Sequence, residues 1–120
     1  MKIFEKDGKI NFVDDRNVFV GFDHQQSCCE DFGWSITPER PKELEGGNPE
    51  MDVTGYVFDP DFFEDSLPGD VYTEDGGVAV FRMVRGGDQL FLTLWNFHNG
   101  YYGHGFAMET NGETVRSGCL

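Results

Sequence analysis

Segment 23–34, DHQQSCCEDFGW, contains the residues of this sequence that are best able to bind a metal or attack a substrate. His24 precedes Cys28 by four positions, a spacing that lets one turn direct an imidazole nitrogen and a thiolate at a zinc ion. Cys28 and Cys29 are adjacent, so their side chains diverge, and the sequence offers no second pair of cysteines. We therefore expect no metal and no other cofactor, with His24 and Cys28 as the alternative pair of metal ligands.

A cysteine nucleophile is the second chemistry that this segment suggests. A reactive thiolate needs positive charge or a helix N-terminus nearby to lower its pKa, whereas Glu30 and Asp31 directly follow Cys29. Free cysteines are also among the most often buried residues. We therefore interpret the segment as a structural corner after the third strand, where a turn or short helix begins and one thiol enters the core. The two acids would favour the first turn of such a helix.

Closely spaced carboxylates in DPDFFEDSL, residues 59–67, are the third candidate site. Asp59 with Asp61, or Glu64 with Asp65, could serve acid–base chemistry or bind calcium, and the segment is compatible with one helical turn. It lacks the D-x-D-x-D-G loop with a distal glutamate that an EF-hand requires. The sequence also lacks a Walker loop and the GxSxG and HExxH motifs. We therefore expect these carboxylates to form a solvated acidic surface.

The charge of the chain argues against nucleic acid as a direct ligand. The 120 residues include 22 acidic and 9 basic ones, which gives a formal net charge of −13. Affinity for nucleic acid depends on lysines and arginines that neutralise phosphates, so an acidic chain is repelled by them. A basic protein surface is the natural partner, because opposite charges steer and accelerate association.

Most of this charge lies in residues 39–75, which contain twelve acidic and two basic residues and four of the five prolines. We expect this segment to be an acidic, loop-rich insertion in a single domain that spans residues 1–120. In a binding role, its carboxylates would engage arginines and lysines, and its aromatic side chains would anchor the contact. The predicted partner-binding residues are Asp59, Asp61, Phe62, Phe63, Glu64, Asp65, Asp70, Tyr72, Glu74 and Asp75.

The rest of the sequence has the two-residue alternation and the turn signals of antiparallel β-sheet. Asp7-Gly8 separates two alternating segments, a Gly-Gly turn separates GVAVFRMV from QLFLTLWNFH, and Asn111-Gly112 starts a return towards Cys119. No helical period is sustained. The expected fold is mainly β, either all-β or α+β with one short helix, as an antiparallel meander or roll of six to eight strands.

The Asn99-Gly100 pair predicts one further hairpin in residue detail. With a two-residue turn at this pair, Trp95 lies opposite His104, and Thr93 lies opposite Phe106. Both faces of the first strand of this hairpin are largely apolar. We therefore expect the strand to be covered on both sides, in the middle of the fold.

The cysteine count and the first residues bear on the cellular compartment. Three cysteines, two of them adjacent, do not make a disulfide framework. The opening residues MKIFEKDGKI are charged and alternating, so we expect no signal peptide. No segment has the roughly 18 consecutive apolar residues of a membrane-spanning helix. We expect a reduced, cytoplasmic protein that does not bind membranes.

The motifs DHQQSCCEDFGW and LFLTLWNFHNGYY resemble those of a small, largely uncharacterised β-rich domain family found in phage and bacterial genomes. The first resembles the H-x-x-x-C-C-E segment of that family, and the second resembles its terminal strand, which ends in an N-G-Y-Y hairpin. The resemblance covers half of the chain and implies a compact β-rich domain, without an established activity. The matching positions, predicted to form the structural corner, are His24, Cys28, Cys29, Glu30, Trp95, Asn99, Gly100, Tyr101 and Tyr102.

The charge, the small size and the missing catalytic motifs together favour a non-enzymatic acidic binding or inhibitor protein. Immunity proteins against nuclease toxins and phage inhibitors of defence nucleases fit this description. They neutralise a basic partner, in some cases by placing carboxylates where nucleic-acid phosphates would lie. The alternative is a small metal- or thiol-dependent domain centred on His24, Cys28 and Cys29. The sequence leaves the oligomeric state open.

Overall fold

The computed structural model describes residues 1–23, 31–39, 52–64, 76–97 and 105–120. In these ranges the chain forms nine β-strands in two antiparallel sheets and no helix, which confirms the expected antiparallel β fold in its all-β form. The count exceeds the expected six to eight. The strands are β1 (Lys2–Lys6), β2 (Lys9–Val13), β3 (Val18–Asp23), β4 (Asp31–Thr37), β5 (Val57–Glu64), β6 (Gly76–Arg85), β7 (Asp88–Phe97), β8 (Gly105–Thr110) and β9 (Glu113–Cys119).

One sheet has five strands in the order β1-β2-β3-β8-β9. Two of its three hairpin turns are the predicted Asp7-Gly8 and Asn111-Gly112 turns. Asp7 and Gly8 have φ angles of 55° and 77°, and Asn111 and Gly112 have φ angles of 52° and 79°. Two consecutive positive φ angles define the turn whose twist matches that of the flanking strands, and aspartate, asparagine and glycine tolerate this conformation best.

The second sheet has four strands in the order β4-β7-β6-β5. Strand β7 lies inside this sheet, between β4 and β6, and every residue from 90 to 96 is buried. Side chains along a strand alternate between its two faces, so burial of the whole run means that both faces of β7 are covered. The predicted two-sided burial of this strand is confirmed.

Aromatic contacts join the two sheets into one core. The ring of Phe81 on β6 contacts that of Phe106 on β8, with centroids 6.0 Å apart and planes inclined at 75°. Phe12 on β2 and Trp34 on β4 form a similar edge-to-face pair at 5.1 Å. Such geometry places the positive edge of one ring against the negative face of the other. The sheets therefore form a sandwich with an apolar interior.

The predicted pairing of β7 with β8 is wrong. β7 pairs with β4 and β6, so Trp95 lies opposite Gly33 and Val78, and β8 pairs with β3 and β9 in the other sheet. Phe106 lies opposite Phe22 rather than Thr93. An Asn-Gly pair favours a turn but does not determine whether the chain returns to the same sheet, and here the chain crosses to the other one.

The helical turn expected within DPDFFEDSL is absent from the described residues, and the one expected after β3 falls on residues 24–30, outside the described ranges. Asp31 is the first residue of β4, which pairs with β7. Residues 57–64 form β5, which pairs with β6 at the edge of the four-stranded sheet. The described part of the acidic segment therefore includes a strand of the sandwich as well as the turn that precedes it. Among the described residues, no helix is long and apolar enough to cross a membrane.

Candidate functional site

The candidate site is the edge strand β5, because it contains five of the predicted partner-binding residues. Its register with β6 is regular from Val57 to Asp59, and then shifts. Asp59 lies opposite Arg82 and Phe63 lies opposite Phe81, the next residue of β6 in that direction. Residues 60–62 are therefore an insertion in β5 that β6 does not match. Such a bulge re-aims side chains at the edge of a sheet.

The bulge sends two consecutive phenylalanines to opposite faces of the four-stranded sheet. The ring of Phe63 contacts Phe81 at 5.5 Å and stacks with Phe106 at 5.9 Å, so it closes the edge of the apolar interior. The ring of Phe62 contacts Phe91 at 5.6 Å on the outer face of the same sheet. Both rings are half-buried. They anchor β5 within this chain and expose only part of their area to a partner.

Two arginines cover these rings. The guanidinium carbon of Arg82 lies 5.0 Å from the centroid of Phe62, and that of Arg116 lies 5.4 Å from the centroid of Phe63. A cation over an aromatic face is attracted by the quadrupole of the ring. Arg116 belongs to β9, so this contact also links β5 to the five-stranded sheet. The apolar part of the edge is therefore bordered by two positive charges.

The carboxylate of Asp59 is engaged within the chain. Arg82 donates from Nε to Oδ2 of Asp59 at 3.1 Å, and its Nη2 donates to the same oxygen. The backbone N–H of Asp61 donates to Oδ1 at 3.0 Å. The hydrogen bonds from Arg82 lower the pKa of Asp59 below its usual range, and burial acts in the opposite direction. Asp59 therefore remains ionised at neutral pH and supports the bulge.

Asp61 is the acidic residue of β5 that is most open to solvent. Its side chain is exposed, whereas Asp59 and Glu64 are half-buried. Its backbone is held by the hydrogen bond to Asp59 and by the proline before it, whose ring restricts φ. The bulge therefore presents the carboxylate of Asp61 from a restrained backbone.

A second restrained acid precedes β5. Asp52 is exposed, and its Oδ1 accepts the backbone N–H of Thr54 at 3.0 Å. This hydrogen bond lowers the pKa of Asp52. The turn is held from the other side by Arg85, whose Nη1 donates to the carbonyl oxygen of Thr54 at 2.8 Å and whose guanidinium lies 4.5 Å from the Tyr56 ring centroid.

A buried aspartate from the other sheet fixes the start of β5. Asp14 follows β2 and is 4% exposed. Its Oδ1 accepts the backbone N–H groups of Arg16 and Val18, at 2.8 and 2.9 Å, and its Oδ2 accepts that of Phe58 at 2.8 Å. A buried carboxylate must be compensated by good hydrogen bonds, and three N–H donors supply them here.

Sequence reasoning did not identify Asp14 or Arg82 as contributors to this site. The segment DDRN predicts a turn, and Asn17 does adopt a positive φ of 62° there. The turn signal carries no information about Phe58, which is 44 positions further along the chain. Arg82 is a base in the middle of the apolar strand β6, and that feature is the only sign in the sequence that this part of β6 meets an acid.

Several predicted residues lie outside the described ranges. Of the structural corner, only Trp95 is described. It is 2% exposed, and its ring lies so close to Gly33 that a Cβ there would be 2.9 Å from Cζ2 of Trp95. Within the described ranges, no group of three His, Cys, Asp or Glu side chains could hold a metal ion. The predicted residues outside them are His24, Cys28, Cys29, Glu30, Asp65, Asp70, Tyr72, Glu74, Asp75, Asn99, Gly100, Tyr101 and Tyr102.

Comparison of the chain with models of protein families, with curated proteins and with solved structures finds no match. The resemblance to a phage and bacterial domain family therefore stays a prediction.

Proposed function

We propose that this chain is a non-enzymatic inhibitor that binds and neutralises a basic protein in the cytoplasm. A nuclease is the expected target, either a toxin for which the chain is the immunity protein or a defence enzyme that a phage must disable. Such enzymes bind phosphates with lysines and arginines. In this mechanism, carboxylates of the inhibitor occupy the positions of the phosphates.

The observation that carries the proposal is the concentration of charge. Residues 39–75 have a net charge of −10 out of −13 for the whole chain. The described part of this segment is held by the Asp14–Phe58 hydrogen bond, by the Asp59–Arg82 ion pair and by the packing of Phe63 on Phe106. Acidic groups on a restrained backbone lose less conformational entropy on binding than groups on a free chain.

The residues divide into two roles in this proposal. Asp61 and Glu64 engage the partner's arginines and lysines. Phe62 and Phe63 pack within the chain and fix the position of β5, from which the two acids project. Asp59 shares its charge with Arg82, so it contributes less to the partner than an unpaired acid would. The other proposed partner-binding residues are Asp65, Asp70, Tyr72, Glu74 and Asp75.

The test compares two variants of equal charge. The first neutralises four acids of the proposed surface, and the control neutralises four exposed acids elsewhere, so each variant loses four negative charges. Affinity capture from host lysate with the wild type, followed by mass spectrometry, identifies the partner, and titration of the purified pair gives Kd. The first variant carries Asp61→Asn, Asp65→Asn, Asp70→Asn and Glu74→Gln, and the control carries Asp7→Asn, Asp15→Asn, Asp88→Asn and Glu113→Gln.

We expect a basic partner whose Kd rises at least about tenfold for the first variant and by less than about threefold for the control. The wild-type Kd should also rise steeply with salt, because screening weakens exposed charge pairs. Equal loss in both variants would show that only net charge matters. Salt-insensitive binding, or an acidic partner, would contradict the proposal.

The metal- or thiol-dependent alternative is tested with the same purified protein. Elemental analysis measures bound metal per chain, and the rate of alkylation near neutral pH measures thiol reactivity. Cys28→Ser and Cys29→Ser provide the controls. Stoichiometric metal that is lost with Cys28, or rapid alkylation at one cysteine, would favour this alternative over the inhibitor.

A further inference from the structure

The outer face of the five-stranded sheet differs from the rest of this acidic chain. Three of the four lysines of the sequence, Lys2, Lys6 and Lys9, are exposed on β1 and β2. The alternation of side chains places them on one face, together with Phe4, which is 42% exposed. Lys6 and Lys9 lie directly opposite each other, and Asp23 on β3 lies opposite Lys9 on its other side.

Two shallow cavities on this face form one continuous groove. One, of about 380 Å³, lies among Phe4, Lys6 and Val13, and the other, of about 550 Å³, lies over Ala107 and Gly21. The two cavities share Lys9, Asn11 and Phe19 as walls and floor. The floor of the groove is low because the row that continues from Phe4 across the sheet has short side chains, at Asn11, Gly21 and Ala107.

Charge changes sign across this face. One row of residues in register across four neighbouring strands begins with a lysine on β1 and ends with a glutamate on β8. Its members are Lys2, Val13, Phe19 and Glu109. The face is therefore positive at one side and negative at the other, with apolar side chains between. Suppose that a second copy is placed against this face by a rotation of 180° about an axis parallel to the strands and between β2 and β3. The positive side of each copy then lies over the negative side of the other.

We propose that this face binds a second copy of the chain about that two-fold axis. Lys2 of each copy then lies over Glu109 of the other, and Val13 lies over Phe19. Phe4 lies over Ala107, where the 550 Å³ cavity receives its ring. Every contact occurs twice, as a two-fold interface requires. The strands of the two facing sheets run nearly parallel, which is a common packing of twisted sheets.

The size of the face predicts a weak dimer. Four strands about 4.8 Å apart and five residues of about 3.4 Å each give roughly 300–400 Å² per copy. Standard interfaces bury about 800 Å² per partner. We therefore expect a Kd in the range of roughly 10–100 μM, and a dimer that weakens with salt.

Charge reversal and its rescue test this interface. Sedimentation equilibrium on the full chain, over roughly 5–500 μM, measures Kd for Lys2→Glu, Glu109→Lys and the double variant. Each single reversal opposes two like charges at both ends of the interface, so Kd should rise at least tenfold. The double variant restores both pairs, and its Kd should be within about threefold of the wild type.

Controls separate this interface from general charge effects and from misfolding. Arg85→Glu and Asp88→Lys reverse exposed charges of the same signs beside the β6–β7 turn of the other sheet, and each should leave Kd unchanged within about twofold. Circular dichroism and the thermal midpoint verify that each variant folds, and Phe4→Ser provides a second disruption without a charge change. A chain that is monomeric throughout this range, single reversals without effect, or a double variant that fails to recover would each overturn the proposal.

Discussion

The outer faces of the two sheets have the same pleated backbone but opposite relations to solvent. On the four-stranded sheet, Val80, Phe91 and Trp95 are 0%, 4% and 2% exposed, so the outer face is buried like an interior. On the five-stranded sheet, Phe4 is 42% exposed and stands among lysines. The sandwich therefore has one protected sheet and one sheet with an open face.

This difference shows that the residue pattern along a strand indicates whether one or both of its faces are buried. LFLTLW in β7 is continuously apolar apart from one threonine, and each of these residues is buried. KINFV in β2 alternates, and its burial alternates with it. A strand with two buried faces cannot use alternation to distinguish inside from outside, because both of its faces need apolar side chains.

The largest expected difference between the faces comes from removing a phenyl ring. Phe91→Ala should lower the free energy of unfolding by about 3–5 kcal/mol, since it opens a cavity beneath Phe62. Phe19→Ala, at a half-buried position of the open face, should cost only about 1 kcal/mol. Urea unfolding at low protein concentration measures both. Similar losses would contradict the contrast between the faces.

A methyl group added to glycine should reproduce this contrast on a smaller scale. A Cβ at Gly33 would be 2.9 Å from the buried ring of Trp95, so Gly33→Ala should cost about 1–3 kcal/mol. A Cβ at Gly21 would meet only Oδ1 of Asn11, at 3.3 Å, and that flexible side chain can move. Gly21→Ala should change the unfolding free energy by less than about 0.5 kcal/mol in urea titrations. A greater loss at Gly21 would indicate that the open face is tightly packed.

Replacing a buried hydroxyl should stabilise the protected sheet. The hydroxyl of Thr93 is fully buried and has no hydrogen-bond partner in the described part of the chain. Thr93→Val keeps the shape and should raise the free energy of unfolding by about 1 kcal/mol. Thr37→Val is the control, because the Thr37 hydroxyl donates to the carbonyl oxygen of Glu39 and its removal should be destabilising. A loss at Thr93 would reveal an ordered water or another partner there.

The smallest effect concerns the ion pair at the edge of the protected sheet. Hydrogen bonds from Arg82 lower the pKa of Asp59, so the stability from this pair is present above the unfolded pKa of about 3.9 and is lost as pH falls through the folded value. Asp59→Asn should cost less than about 1 kcal/mol at neutral pH, because the pair is partly exposed. Urea unfolding at pH 7 and pH 3 should show the difference from wild type shrinking at the lower pH. A constant difference would assign the effect to the backbone of the bulge.

Local sequence signals predicted two of the hairpins. Strand pairing that depends on long-range contacts could not be predicted in this way. Asp7-Gly8 and Asn111-Gly112 each join neighbouring strands of one sheet as expected. The same reasoning at Asn99-Gly100 failed, since β8 is paired instead by Phe22 and its neighbours on β3. The choice between sheets depends on which apolar faces meet in the core, and no short segment encodes that.

The candidate site was located in the sequence by its charge but not by its geometry. DPDFF has a proline and acids that also suit a helical turn, in which Phe62 and Phe63 would point in similar directions. In the structure, Phe62 contacts Phe91 on one face of the sheet and Phe63 contacts Phe106 on the other. An extended backbone places consecutive side chains on opposite faces in this way. The exposure of Asp61 follows from this extended bulge.

The buried carboxylate of Asp14 also has a consequence for aggregation. β5 is an edge strand, and the outward backbone N–H groups of an edge can recruit a strand from another molecule. The outward N–H of Phe58 is already donated to Asp14, residue 60 is a proline without an N–H, and the N–H of Asp61 is donated to Asp59. An incoming strand would therefore find no free N–H donor at residues 58, 60 and 61, and it would meet two carboxylates there. This part of β5 can therefore stay extended at the edge of its sheet without offering a template for fibril growth.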